Sequence, residues 1–167
     1  WLIIDSAYSS GTKTSINYTI NSSPTSGFEN VLLSSGDDTL TGDALDNILL
    51  GSGGADTISG LAGNDSLYGY SLMEGGCSYD GSSDGSDKLY GGDGDDLLVG
   101  GAGDDLFDGG VGQDTLTGDG GIVSCGYEAS QTQGGASGSD TFVIRAGDGG
   151  SSISDADIIT DFTDGTD

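Results

Sequence analysis

Histidine is absent, proline occurs once, cysteine twice, and only three basic side chains (Lys13, Lys88 and Arg145) face 28 acidic ones in 167 residues. Each scarcity excludes something. Without histidine the chain cannot by itself assemble a Ser/His/Asp triad, a Cys/His pair or an imidazole zinc site. With three cations and a formal charge of −25 it cannot neutralise phosphates, which excludes nucleic acid and anionic membrane surfaces as partners. No stretch approaches the roughly 20 apolar residues of a membrane span and no leader peptide is recognisable, so membrane insertion is not expected. The chain starts at Trp1 and not at methionine, and it is expected to be a piece of a longer protein.

Glycine is abundant, at 34 residues, and of the acidic residues only Glu29, Glu74 and Glu128 are glutamate. Such composition with so large a like-sign charge ordinarily reads as disorder, because too little apolar surface is buried to offset the ordering entropy. The choice of aspartate argues otherwise. A solubilising tail has no reason to avoid glutamate, whereas short carboxylates beside glycine suit a turn that wraps a hard cation such as Ca2+.

A unit Gly-Gly-x-Gly-x-Asp-x-(Leu/Ile/Phe)-x recurs with a period of nine. The clearest copies are consecutive: GGDGDDLLV from Gly91, GGAGDDLFD from Gly100 and GGVGQDTLT from Gly109. Upstream in the same phase stand GDALDNILL from Gly42, GSGGADTIS from Gly51 and GLAGNDSLY from Gly60. Position six holds Asp38, Asn47, Asp56, Asp65, Asp87, Asp96, Asp105, Asp114 and Asp140. Position eight holds Leu40, Leu49, Ile58, Leu67, Leu89, Leu98, Phe107, Leu116 and Phe142, with Val31 in a degenerate leading unit. An apolar residue in every copy is not the accident of a glycine-rich composition.

Six residues of turn and three of strand per unit imply an all-β coil of half-revolutions, with position eight inward and positions seven and nine outward. Turns of alternate units then stack on opposite edges. Asp38, Asp56, Asp87, Asp105 and Asp140 are expected in one column, and Asn47, Asp65, Asp96 and Asp114 in the other. Carboxylates about 5 Å apart repel unless a cation lies between them. A Ca2+ ion could take one oxygen from each, with carbonyls of the glycine turn; the candidates are Gly36, Gly54, Gly63, Gly92, Gly94, Gly101, Gly103, Gly110 and Gly112. Four sites on one edge and three on the other make about seven ions. Asn47 is neutral and is expected to weaken the first site of its column.

The unit resembles the RTX (repeats-in-toxin) nonapeptide of calcium-dependent secreted bacterial proteins, over roughly residues 29–144. The resemblance implies a parallel β-roll, a chain unfolded in the calcium-poor cytosol, type I secretion of the parent protein, and folding outside the cell. TFVIRAGDG and DIITDFTDGTD resemble the segment closing such rolls, with Asp157 and Asp161 as caps. Proteases, lipases, adhesins and surface-layer proteins carry these rolls, mostly with their activities elsewhere. The reading is a non-catalytic structural or assembly module of an extracellular surface layer, filament or adhesin. Its alternative is the C-terminal roll of a secreted metalloprotease or lipase.

Residues 1–28 fall outside the repeat and read as capping strands or the end of a preceding domain, and residues 145–167 read as a C-terminal cap. Sequons at Asn17, Asn21 and Asn64 carry no weight in a bacterial protein. On the outer faces, Ile48, Leu50, Tyr68, Leu97 and Val99 give the strands of the even-numbered units an apolar side suited to self-assembly or docking, whereas those of the odd-numbered units present mainly Thr and Ser.

Two insertions, 70–84 and 119–137, interrupt odd-numbered units at the same place and each contains one cysteine, Cys77 and Cys125. Loops of this length leaving one edge two coils apart can bring these residues together, and the alternative is two free thiols. A bridge would close a loop worth roughly 4 kcal/mol in the chain-entropy model. Intact mass under non-reducing conditions is expected to be lower by about two hydrogens than the reduced chain; an unchanged mass refutes the bridge.

Overall fold

The computed structural model describes residues 2–3, 17–20, 30–33, 36–70, 85–119, 138–145 and 156–160. These form thirteen strands: β1 (Leu2–Ile3), β2 (Asn17–Thr19), β3 (Asn30–Leu32), β4 (Thr39–Thr41), β5 (Ile48–Ser52), β6 (Thr57–Ala62), β7 (Ser66–Tyr70), β8 (Lys88–Asp93), β9 (Leu97–Gly101), β10 (Leu106–Val111), β11 (Thr115–Asp119), β12 (Thr141–Val143) and β13 (Ile158–Ile159). Odd strands make one sheet, β1-β3-β5-β7-β9-β11-β13, and even strands the other, β12-β10-β8-β6-β4-β2. Every pairing is parallel, and each strand pairs with the one two places along the chain. The protein is therefore all-β with the two-sheet architecture of a parallel β-roll. No helix among the described residues is long and apolar enough to cross a membrane.

The eighth-position side chains form the core. Val31, Leu40, Leu49, Ile58, Leu67, Leu89, Leu98, Phe107 and Leu116 are fully buried in one cluster, with Phe142 and Ile159 packed against its end. Register makes this possible: Leu49 pairs with Leu67, Leu67 with Leu98 and Leu98 with Leu116, so identical positions stack coil upon coil. Phe107 and Phe142 stack with ring centroids 5.1 Å apart.

Three features depart from the sequence-based expectation or extend it. First, the strands are longer than three residues: β6, β8 and β10 each run six residues, through positions seven to nine and into the first three of the next unit. Only positions four to six remain as turn, because the backbone at positions one and two continues the ladder, as in the pairs Gly110 with Gly92 and Leu61 with Gly92. Second, β1 and β2 pair in parallel with β3 and β4, and β13 pairs with β11, so the stack of coils runs beyond the repeat at both ends. Third, Leu50 and Val99 are 2% and 7% exposed, so the even-unit strands do not present a continuous apolar face to solvent. Cys77, Cys125, both insertions apart from Tyr70 and Asp119 at their ends, Asn21 and Asp161 lie outside the described residues.

One inward residue per nine-residue unit leaves no second layer to fill a gap. Leu98→Ala is expected to lower stability by about 2–5 kcal/mol, the range for emptying a fully buried leucine site, measured by urea denaturation in calcium. A loss under about 1 kcal/mol would contradict a core built from single stacked side chains.

Candidate metal centre

The position-six residues stand where each turn re-enters a strand, and all nine are buried. A ladder of hydrogen bonds links them along each edge. The amide of Asp38 donates to Oδ1 of Asp56 (2.8 Å), that of Asp56 to Asp87 (2.7 Å), of Asp87 to Asp105 (2.8 Å) and of Asp105 to Asp140 (3.0 Å). On the other edge Asn47 donates to Asp65 (2.8 Å), Asp65 to Asp96 (2.7 Å) and Asp96 to Asp114 (2.9 Å). Asp157 continues this second column, its Oδ1 accepting from the Asp114 amide (3.2 Å). Its period is hidden in the sequence because no glycine turn of the usual spelling precedes it.

With Oδ1 engaged by the neighbouring coil, Asp65 and Asp96 keep their second oxygen open. Asp43, Asp65 and Asp96 each hold a buried Oδ2 that no hydrogen bond reaches. A buried anionic oxygen left in this state costs more than a hydrogen bond returns, which points to a missing positive partner. Its surroundings are oxygen-rich. A Cβ on Gly60 would collide with Asp65 Oδ2 and the carbonyl oxygen of Gly91; one on Gly91 would collide with Asp96 Oδ2 and the carbonyl oxygen of Gly109. The same pairing recurs at Gly51, where Asp56 Oδ2 meets the Gly69 carbonyl, and at Gly69, where Asp87 Oδ2 meets the Gly100 carbonyl. The first glycine of each unit is thus required for space beside the carboxylate, and its carbonyl, not among the candidates from sequence, joins the oxygen set.

The predicted carbonyls of positions two and four lie in parallel columns. Gly54, Gly63, Gly92, Gly94, Gly101, Gly103, Gly110 and Gly112 all have positive φ, while Gly36 does not. The carbonyls of Gly36, Gly63 and Gly94 face the α-carbons of Gly54, Gly94 and Gly112 in the next coil, where any Cβ would clash. Among the described residues no three acidic, cysteine or histidine side chains converge on one point. Paired carboxylates plus main-chain carbonyls are the donor set available, and all-oxygen donors on flexible turns suit Ca2+. The residues fit that ion.

A second, exposed ladder runs along position five with the opposite polarity. Asp37 accepts from the Ala55 amide (3.0 Å), Asp46 from Asn64 (2.8 Å), Asn64 from Asp95 (3.1 Å), Asp95 from Gln113 (2.9 Å) and Asp104 from Ser139 (2.9 Å). Sequence reasoning passed over it, although the doublets Asp37-Asp38, Asp95-Asp96 and Asp104-Asp105 carry the signal.

A family model for the RTX calcium-binding nonapeptide repeat matches residues 41–71 and 82–121, in four copies. No curated protein and no solved structure matches the chain significantly. The chain therefore contains RTX repeats, a structural module that binds Ca2+ and is typical of proteins exported by type I secretion.

Metal-free, the columns resist ionisation. Burial pushes Asp65 up to about 6, against an ordinary value of 3.8; the hydrogen bond from the Asn47 amide opposes it, and the charges of Asp46 and Asp43 add to it. Burial likewise pushes Asp96 up to about 7, opposed by the Asp65 amide and reinforced by the charges of Asp65, Asp114 and Asp95. A carboxyl with a raised folded pKa supports the folded state fully below its unfolded value near 4, and this support is lost as pH rises through about 6 to 7. Circular dichroism of the calcium-free chain is expected to show more β-structure at about pH 5 than at about pH 7.5. Loss of β-structure on that acidification would contradict the buried-column electrostatics.

Proposed function

We propose that this RTX-containing chain is a calcium-folded structural and assembly module of an extracellular bacterial protein. The observation that carries the reading is the pair of buried carboxylate columns, in which Asp56, Asp65, Asp87 and Asp96 each have Oδ1 bonded to the neighbouring coil and Oδ2 beside a glycine carbonyl. With Asp157 included, each column has four intervals between successive coils, so about eight ions are proposed, one more than the repeat alone suggests. Bound there, Ca2+ supplies positive charge between like-charged turns and oxygen coordination across coils. Position-six side chains serve as charged ligands and glycine carbonyls as neutral ones. Export by a type I machine accounts for such a design: the chain stays expanded where calcium is scarce and compacts where it is abundant.

The module role supposes that the folded roll makes contacts with copies of itself or with neighbouring domains. Size-exclusion chromatography with light scattering, in millimolar calcium and after chelation, separates the possibilities. Calcium-dependent oligomers or fibres are expected for an assembly module. A compact calcium-bound monomer favours the accessory roll of a secreted enzyme, with catalysis in another part of that protein.

The shared ligands make a sharper prediction. Asp105 lies between Asp87 and Asp140 in its column and borders two intervals. Asp105→Ala is expected to weaken two sites together, lowering the calcium stoichiometry by about two in isothermal titration. Unchanged stoichiometry and affinity would rule out the shared-ligand column.

A further inference from the structure

The unit from Gly42 to Leu50 departs from the repeat three times: position six is the neutral Asn47, position four is Leu45, and position two, glycine in the clearest copies, is Asp43. The departures at positions two and six meet in space. The Asp43 amide donates to Asn47 Oδ1 (2.9 Å), and Asn47 Nδ2 reaches Asp43 Oδ1 (3.4 Å). In the later units of this edge position two, at Leu61, Gly92 and Gly110, takes a positive φ, whereas Asp43 does not. Its side chain is 6% exposed, and its Oδ2 is buried without a hydrogen-bond partner.

One coil further along the same column, Asp65 keeps a buried Oδ2 in the same condition. The carbonyl oxygen of Gly60 meets Asn47 Oδ1 at the space a Cβ on Gly42 would occupy, as the Gly91 carbonyl meets Asp65 Oδ2 one coil on. This end of the column therefore keeps the carbonyl of the regular intervals but has an amide where they have a carboxylate, and the buried carboxylate bonded to that amide is Asp43. Asp43 also bears electrostatically on Asp65, being one of the charges that oppose its ionisation.

We infer that Asp43 supplies the carboxylate that Asn47 lacks, making the first interval of the second column a Ca2+ site of full charge held by Asp43, Asp65 and intervening carbonyls. The inference rests on the calcium reading above, and it reverses the expectation that Asn47 leaves this site weak. Asp43 also forms an Asx-type turn, its Oδ1 accepting from the Leu45 amide at 2.9 Å. A purely structural role would need only that oxygen, which asparagine retains.

The test is isothermal calcium titration of the full chain, followed by circular dichroism in saturating calcium, for the parent, Asp43→Asn, the exchange Asp43→Asn with Asn47→Asp, and Asp96→Asn. Asp43→Asn is expected to lose about one ion, or to weaken one site about tenfold, and the exchange to restore it. Should Asp43→Asn fail to fold, recovery of the fold by the exchange supports the charge role, and continued failure overturns it. Binding by Asp43→Asn equal to the parent, with Asp96→Asn impaired, overturns the role of Asp43 and leaves the columns standing. Equal binding by both variants overturns the columns as well.

Discussion

Like charges stacked at strand spacing are the constraint from which the rest of this structure follows. A parallel roll places equivalent residues of alternate units about 4.8 Å apart, and here the equivalent residue is a buried aspartate. Two such charges oppose each other by about 3 kcal/mol at an effective dielectric constant of about 20. The first column repeats this four times and the second, which begins at the neutral Asn47, three times. The single inward side chain of each nine-residue unit offers modest apolar burial against that opposition, so cohesion between coils depends on whatever neutralises the columns.

The backbone is arranged around the same need. Asp56, Asp65, Asp87, Asp96, Asp105, Asp114 and Asp140 each spend one oxygen on the amide of the preceding coil, fixing its orientation, and turn the other toward the first glycine of their own unit. That glycine allows the carboxylate to approach the main chain and brings a carbonyl from the next coil to the same spot. Gly94 and Gly112 add tight coil-to-coil contact, with φ of 142° and 145° and no room for a Cβ. The exposed position-five ladder hydrogen-bonds the coils outside the columns, with side chains accepting in the opposite direction.

Much of this was legible because the repeat is strict where the physics is strict. A period of nine with one apolar residue told the two-sheet parallel architecture, and the stack from Val31 to Leu116 occupies the inward position throughout. Aspartate at a period of eighteen likewise told which turns are neighbours. What escaped reading lacked a repeated spelling. Asp157 reads as a cap, and its place in the position-six column is hidden because no glycine turn precedes it, while Asp43 replaces a glycine whose loss reads as simple decay of the repeat. The length of the strands was also hidden, because consecutive glycines read as turn although here they continue a ladder. Leu50 and Val99 alternate like outward residues, yet both are buried, which alternation does not encode.

The central claim is that an ion occupies each interval between successive column carboxylates. Anomalous diffraction from crystals of the chain grown in calcium, with terbium exchanged for it, locates those ions directly. The account predicts two rows of peaks, one along Asp38, Asp56, Asp87, Asp105 and Asp140 and one from Asn47 through Asp114 to Asp157. Peaks confined to the exposed ladder of Asp37, Asp46, Asp95 and Asp104, or columns without peaks in a folded roll, would contradict it.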